Sequence, residues 1–388
     1  MSTSNQPQIV PGQWIVTLRP YATSAIKSTH VSLLHNLTDD TSSPVNVSIN
    51  SEFDLPEIRG YTASFDEATK AELEALPEVA DIEPVQIFKH CAVVTQSNAP
   101  WGLARISTRS KLPPAGPYTY KYTNTGEGAI AYVIDTGIND AHVDFEGRAS
   151  KGPKFVTVAA GVEVSDEDLN GHGTHVAGTI AGKTYGVAKK AQVIGIKVFD
   201  DSPEPGAQTG DIISALDYVV KEFKEHGKPS VVNLSLGGGA SPAMDKAVAS
   251  AVRSGVTVVV AAGNEARQAT TSSPAREPLA ITVGASDVGD KVWQTTAANF
   301  SNYGKMVDIF APGVQILSTW IGGTEATNTI SGTSMASPHV AGAVAQIIGA
   351  ESTEPLLVVP KLLQWAEKND LSGLKERTIN ALLQISDA

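Results

Sequence analysis

Cysteine is nearly missing from these 388 residues: Cys91 stands alone, so no disulfide can close within the chain. Positive charge is also in short supply, with 29 Lys and Arg against 41 Asp and Glu and a formal net charge of −12. That balance argues against nucleic acid or an anionic membrane surface as a partner. No apolar run approaches eighteen residues, so no membrane span is expected. The opening MSTSNQPQIVPGQW has neither a basic stretch nor an apolar core, and no secretory signal is visible in it. Low cysteine and a missing signal favour a reducing compartment, and an intracellular or vacuolar location is expected; removal of a signal would leave an extracellular site open. Internal repeats and low-complexity tracts are lacking as well. What remains is a chain long enough for a large core and two domains, 41% hydrophobic and rich in glycine (34 residues), as tight turns demand.

Charge divides it unevenly. Residues 1–93 hold five Lys or Arg against twelve Asp or Glu, a density of acid that the rest does not match. Within them QWIVTLR (13–19) and GYTASF (60–65) alternate as half-buried strands do, and DEATKAELEALPEV (66–79) spaces its apolar residues as an amphipathic helix. A small α+β module is expected. IEPVQIFKHCAVVTQSNAPWG (82–102) has no strong periodicity and reads as a segment crossing between domains.

From residue 129 the pattern changes. AIAYVID, QVIGIKVF, SVVNLSL, VTVVVAAGN and AITVGAS are near-continuously apolar, as strands buried on both faces are. Helical runs such as GTHVAGTIAG, GDIISALDYVVKEF and SPAMDKAVASAVRSG lie between them. The expectation is an α/β domain, a mostly parallel sheet with helices on both faces, and chemistry at the carboxyl ends of its strands.

Three polar residues sit where that rule directs attention. Asp135 ends AIAYVID and enters a TG turn, His172 stands between glycines in NGHGTHVAGT, and Ser334 lies in TISGTSMASPHVAG at the start of an apolar helical run. A serine needs a base to take its proton, and the base needs a carboxylate to fix its tautomer. Gly332 lets a substrate backbone approach, and Pro338 is expected in or near the first helical turn, where its missing N–H costs little. Each residue alone has a plain structural reading: a helix cap for Ser334, a turn residue for Asn264 in VVVAAGNEA.

Together VIDTGI, NGHGTHVAGT and SGTSMASPHVAG resemble the three catalytic blocks of subtilisin-like serine proteases, in that family's order Asp, His, Ser. NAPWGLARIS, YGVAKK, SLGGG, AAGN, VGASD, FSNYG and ILSTWIGG extend the resemblance toward its proteinase K-like branch, over roughly residues 94 to 385. The resemblance implies a serine endopeptidase acting on proteins or peptides, with Asp135, His172 and Ser334 as the triad and Asn264 in the oxyanion hole. It implies a substrate wall from Ser235, Leu236 and Gly237 and from Ala261, Ala262 and Gly263, uncharged and suited to an apolar or aromatic residue before the scissile bond. GQWIVTLRP and VADIEPVQIF resemble the family's inhibitory propeptide, which divides the chain into a propeptide domain, 1–93, and a peptidase domain, 94–388. Cleavage between Val93 and Val94 would convert a self-inhibited precursor into a monomeric enzyme.

The family's disulfide positions are apolar here, for example Ile130, Val176 and Ile281. No cofactor is expected for catalysis. One structural Ca²⁺ is, on the carbonyls of Pro278 and Ala280 and the carboxylate of Asp308; without metal that carboxylate would simply cap a loop. At a second family site Arg109 replaces a neutral oxygen ligand and is expected to pair with Asp370 instead. His175, three residues after His172, could be read as half of a metal pair but lacks a third ligand motif, and it and His339 are expected in the core. Gly126 and Gly128 precede a strand, so a nucleotide fingerprint fails on order. Two other classes stay open. A silent binding protein on this fold would be expected to have lost a triad member, and residues 1–93 could act chiefly as an inhibitor, chaperone or permanent interaction domain.

Overall fold

The computed structural model describes residues 9–38, 47–87, 93–296, 299–351 and 353–385. The chain divides into two compact units, Met1–Cys91 and Ala92–Ala388. In the first, four antiparallel strands lie in the order Ser48–Leu55, Ile58–Ser64, Ile9–Leu18, Val79–Gln86. Alternate residues of these strands, Val16, Leu18, Tyr61, Ala63 and Ile82, share a core with Leu34 of the Ser24–Thr38 helix and Leu73 of the Glu67–Glu74 helix. Asp66 caps the second helix by accepting the Thr69 N–H at 2.9 Å. The α+β expectation holds, but residues 82–86, read as a crossing segment, belong to an edge strand. Its Pro84, opposite Trp14, breaks the alternation that would have revealed it.

The second unit is built on a nine-stranded sheet. Across it run Glu367–Lys368, Ala381–Leu382, Ile309–Pro312, Ile281–Ser286, Thr257–Ala261, Ser230–Leu234, Ile130–Asp135, Gln192–Lys197 and Ala149–Lys154. All neighbours pair in parallel except the first two. The continuous apolar runs are explained by burial of both faces. Ala131, Val133, Val231 and Val259 pack on one face against the His172–Ala181 and Thr333–Ala350 helices. Ile130, Tyr132, Ile134, Val232, Val258 and Val260 pack on the other, under the Thr209–His226 and Pro242–Arg253 helices. Ile130, Val176 and Ile281 are buried apolar contacts in this double core. Parallel winding brings Asp135, Ser235 and the 261–264 loop to one edge, at the carboxyl ends of three adjacent strands.

Candidate active site

Asp135 is fully buried at the end of its strand. Its Oδ1 accepts the Thr136 N–H at 2.7 Å and His172 Nδ1 at 2.8 Å, while Oδ2 has no partner among the described residues. His172 opens the His172–Ala181 helix after Gly171, whose φ of 97° is open to glycine and strained for other residues. Burial works against the imidazolium, but the charge and hydrogen bond of Asp135, with Asp168 behind, prevail and hold its pKa above the ordinary value. His175 faces the other way, its Nε2 on the Ile316 carbonyl at 2.9 Å, and His339 Nδ1 bonds the Met335 carbonyl at 2.8 Å. Burial pulls both pKa values down to about 4. Both are core residues, as expected.

Ser334 is the second residue of the Thr333–Ala350 helix, entered through Gly332 at φ 153° and ψ 171°. Pro338 is the sixth residue, deeper than the sequence suggested, and it cannot donate to the carbonyl four residues back, which is that of Ser334. The Ser235 hydroxyl donates to that carbonyl instead, at 2.8 Å. Ser235 Oγ in turn accepts from Asn233 Nδ2 at 2.8 Å, and Asn233 Oδ1 accepts from Ser337 Oγ at 2.6 Å. The vacancy left by a proline is thus filled by a hydroxyl from the neighbouring strand end. Ser334 Oγ donates to the Ser235 carbonyl at 3.2 Å and not to His172.

Asn264 meets the same helix start. Its Oδ1 accepts both the N–H and the hydroxyl of Thr333, each at 2.9 Å, and Thr333 Oγ1 accepts the Gly263 N–H at 3.1 Å. With the oxygen so engaged, Nδ2 has no protein acceptor among the described residues and lies 3.5 Å from where a Cβ on Gly332 would stand. The Ser334 N–H, in the first helical turn, has no intrahelical partner either. Gly263 (φ 100°) could not be replaced, because a Cβ would come within 2.4 Å of Asn302 Nδ2. Asn302 holds the 262–267 loop by donating to the Ala262 carbonyl at 2.9 Å and accepting the N–H groups of Glu265 and Arg267 at 3.1 and 3.0 Å. Ser235 therefore lies beside Ser334 and Gly263 beside Thr333; Leu236 and Gly237 follow Ser235 in the loop after one strand, and Ala261 ends the adjacent strand ahead of Ala262 and Gly263. A 320 Å³ cavity adjoins Leu236 and Gly237, walled by Phe199, Ile212 and Met244.

Pro278, Ala280 and Asp308 lie at the opposite edge, ahead of the strands Ile281–Ser286 and Ile309–Pro312. Asp308 Oδ2 accepts the Thr282 N–H at 2.8 Å, and no Lys, Arg or His pairs with the carboxylate among the described residues. Burial pushes its pKa up to about 6, as it does for a carboxylate without a counterion. Arg109 does not pair with Asp370: it reaches Glu367 at 3.3 Å, and Asp370 is approached by Arg105 at 3.8 Å. Arg105 is committed elsewhere, buried in a two-pronged bond to Asp290 at 2.7 and 3.3 Å. Of the processing positions, Val93 and Val94 are half exposed, Val94 opening the Val94–Ser97 strand, while residues 88–92 just ahead of them lie outside the described residues.

An imidazole held by a carboxylate, a hydroxyl at a helix start and two free N–H donors beside it form the equipment of hydrolytic acyl transfer. The comparisons agree. The family model described as Subtilase family, Peptidase S8, matches residues 126–383, and Peptidase inhibitor I9 matches residues 13–89. Alkaline protease 1 of Aspergillus clavatus is 41% identical over 377 residues, covering 95% of this chain and 89% of its own. The Cuticle-degrading protease of Metarhizium anisopliae is 44% identical over 352 residues, covering 89% and 85%. A solved cold adapted subtilisin-like serine proteinase superposes with a TM-score of 0.66 at 43% identity, over 75% of this chain and all of that one. The chain belongs to the subtilase family of serine endopeptidases and carries an I9 inhibitor domain ahead of its peptidase domain.

Proposed function

We propose that the enzyme cleaves peptide bonds through Ser334, His172 and Asp135. His172 Nε2 takes the Ser334 proton as Oγ attacks the scissile carbonyl, once the hydroxyl has turned from the Ser235 carbonyl toward the imidazole; apo geometry of this kind tightens when substrate binds. The proton then passes to the leaving amine, and Asp135 Oδ1 keeps Nδ1 protonated and stabilises the imidazolium. Asn264 Nδ2 and the Ser334 N–H donate to the tetrahedral oxyanion. The observation that carries this reading is the 2.8 Å bond from His172 Nδ1 to Asp135 Oδ1, which sets the tautomer that leaves Nε2 free as a base. A fluorophosphonate should label Ser334 in the wild type and fail to do so in His172→Ala. Undiminished labelling of that variant would remove His172 from the mechanism.

The uncharged loops 235–237 and 261–263 suit an apolar or aromatic side chain before the scissile bond. Val93 meets that preference, which supports autoprocessing at Val93–Val94 and inhibition by the I9 domain until then. Mass spectrometry should find wild-type protein cut there and Ser334→Ala at full length; intact wild type would end the precursor reading. Asp308 with the carbonyls of Pro278 and Ala280 would hold one Ca²⁺, the hard oxygen set and the unneutralised carboxylate both fitting that ion.

A further inference from the structure

Behind the reacting groups lies a carboxylate that the mechanism above does not use. Asp168 is 5% exposed, yet no basic side chain pairs with it among the described residues; it is satisfied by donors alone. Its Oδ1 accepts the Thr136 hydroxyl at 2.9 Å and the N–H groups of Asn170 and Gly171 at 3.1 and 2.8 Å. Its Oδ2 accepts the N–H and hydroxyl of Thr174 at 3.0 and 2.6 Å. Five donors on one buried carboxylate fix it in place. Those donors come from two different elements. Thr136 follows Asp135 and points its own N–H at Asp135 Oδ1, and Thr136 Oγ1 also accepts the Gly173 N–H at 2.9 Å. Asn170, Gly171, Gly173 and Thr174 surround His172 in the chain.

We propose that Asp168 is the positioning residue of this site: it ties the strand end bearing Asp135 to the helix start bearing His172, and it sets a second negative charge behind the imidazole. The proposal rests on the triad reading above. The alternative, a helix cap that only stabilises the fold, would require the bonds to end on the helix; the Thr136 hydroxyl, on the residue that follows Asp135, is what a mere cap does not need. The charges that face this corner are few. Asp135 comes from the strand and His175 from the helix's own next turn, where it is neutral. Lys197 comes from the adjacent strand; its Nζ donates to the Thr136 carbonyl at 2.9 Å and forms an ion pair with Asp201 at 2.7 Å. Asp168 therefore adds to Asp135 in favouring imidazolium, against burial.

The test uses the full-length chain and its processed enzyme, with Asp168→Asn, Thr136→Val and Thr136→Ser. An amide at 168 keeps shape but turns one acceptor into a donor facing donors and removes the charge. Asp168→Asn should lower kcat by about tenfold or more with KM within about twofold, the signature of misplaced reacting groups. It should also move the acid limb of the kcat/KM profile to lower pH. Thr136→Val, which leaves the charge, should lower kcat without moving the acid limb, and Thr136→Ser should restore kcat. If folded Asp168→Asn protein keeps both kcat and the acid limb of the wild type, or if Thr136→Val acts as Thr136→Ser does, the positioning role is wrong. Fluorophosphonate labelling of wild-type Ser334 runs alongside: its absence would overturn the triad reading itself, whatever the Asp168 variants do.

Discussion

A single side chain at this site is worth what its neighbours force it to do. Asn264 is the clearest case, because Thr333 occupies its oxygen twice and leaves only its N–H groups for a ligand. Asn264→Ala should therefore lower kcat by about 10²- to 10³-fold, the size known for the corresponding donor in subtilisin, with little change in KM. A loss confined to KM would make the asparagine structural. The raised pKa of His172 makes a second demand. The free base is the active form, so kcat/KM should fall as pH drops through a value above the usual 6.5 of histidine, and a midpoint below 6.5 in a rate profile of the processed enzyme would contradict it. Asp135, His172, Ser334 and Asn264 were legible from sequence because each sits among glycines or other small residues that have little reason to be there except to clear space. Asp168, Thr333 and Asn302 were not legible. Their work is done by hydrogen bonds to partners 32, 69 and 40 residues away, and no local pattern marks an ordinary-looking Asp, Thr or Asn for that.

At the scale of elements, burial decided what could be read. Strands covered on both faces announce themselves as unbroken apolar runs, and the five found in the sequence are five adjacent strands of the nine-stranded sheet. Short strands that one or two hydrogen bonds sustain, such as Glu367–Lys368 and Ala381–Leu382, carry no such signal. The Thr333–Ala350 helix shows a subtler failure: Pro338 was placed by its position in the chain, whereas its tolerance depends on the Ser235 hydroxyl, which only the fold brings near. Ser235→Ala should thus leave the Ser334 carbonyl without a donor and cost about 1–3 kcal/mol, seen as a lower denaturant midpoint in a Ser334→Ala background that prevents autolysis. Arg105, on the short Trp101–Arg105 helix, poses a harsher test. Both it and Asp290 are fully buried, so Asp290→Ala would strand a guanidinium in the core and should cost about 3–5 kcal/mol in the same assay. The Arg109–Glu367 pair, nearly half exposed on the arginine side, should be worth about 0–1 kcal/mol.

Two dependences on solution conditions are expected of the whole peptidase unit. His175 and His339 are buried with pKa values near 4, below the 6.5 of the unfolded chain, so the unfolded state binds more protons between those values. Stability should therefore fall as pH drops from 6.5 toward 4, by up to about 3 kcal/mol for each, offset in part by Asp308, whose carboxyl is raised to about 6 and favours the fold over the same window; a Tm that rises as pH drops through it would contradict the neutral buried imidazoles. Calcium at the proposed site would be the other. The carbonyls of Pro278 and Ala280 and the carboxylate of Asp308 stand at the start of two adjacent parallel strands, far along the sheet from the reacting groups, so a cation there would clamp strand ends and take no part in the chemistry. A ligand that binds only the folded form stabilises it by about 2.7 kcal/mol at a hundredfold excess over Kd. At the second family position, by contrast, the guanidinium of Arg105 already lies 3.8 Å from Asp370 and that of Arg109 is drawn to Glu367, so two fixed positive charges sit where a second cation would have to bind. Titration of chelator-treated Ser334→Ala protein should accordingly find one Ca²⁺, raise Tm on binding, and show neither effect in Asp308→Asn. Two comparable sites would mean that these arginines do not exclude the ion, and none would mean that Asp308 caps its loop without metal.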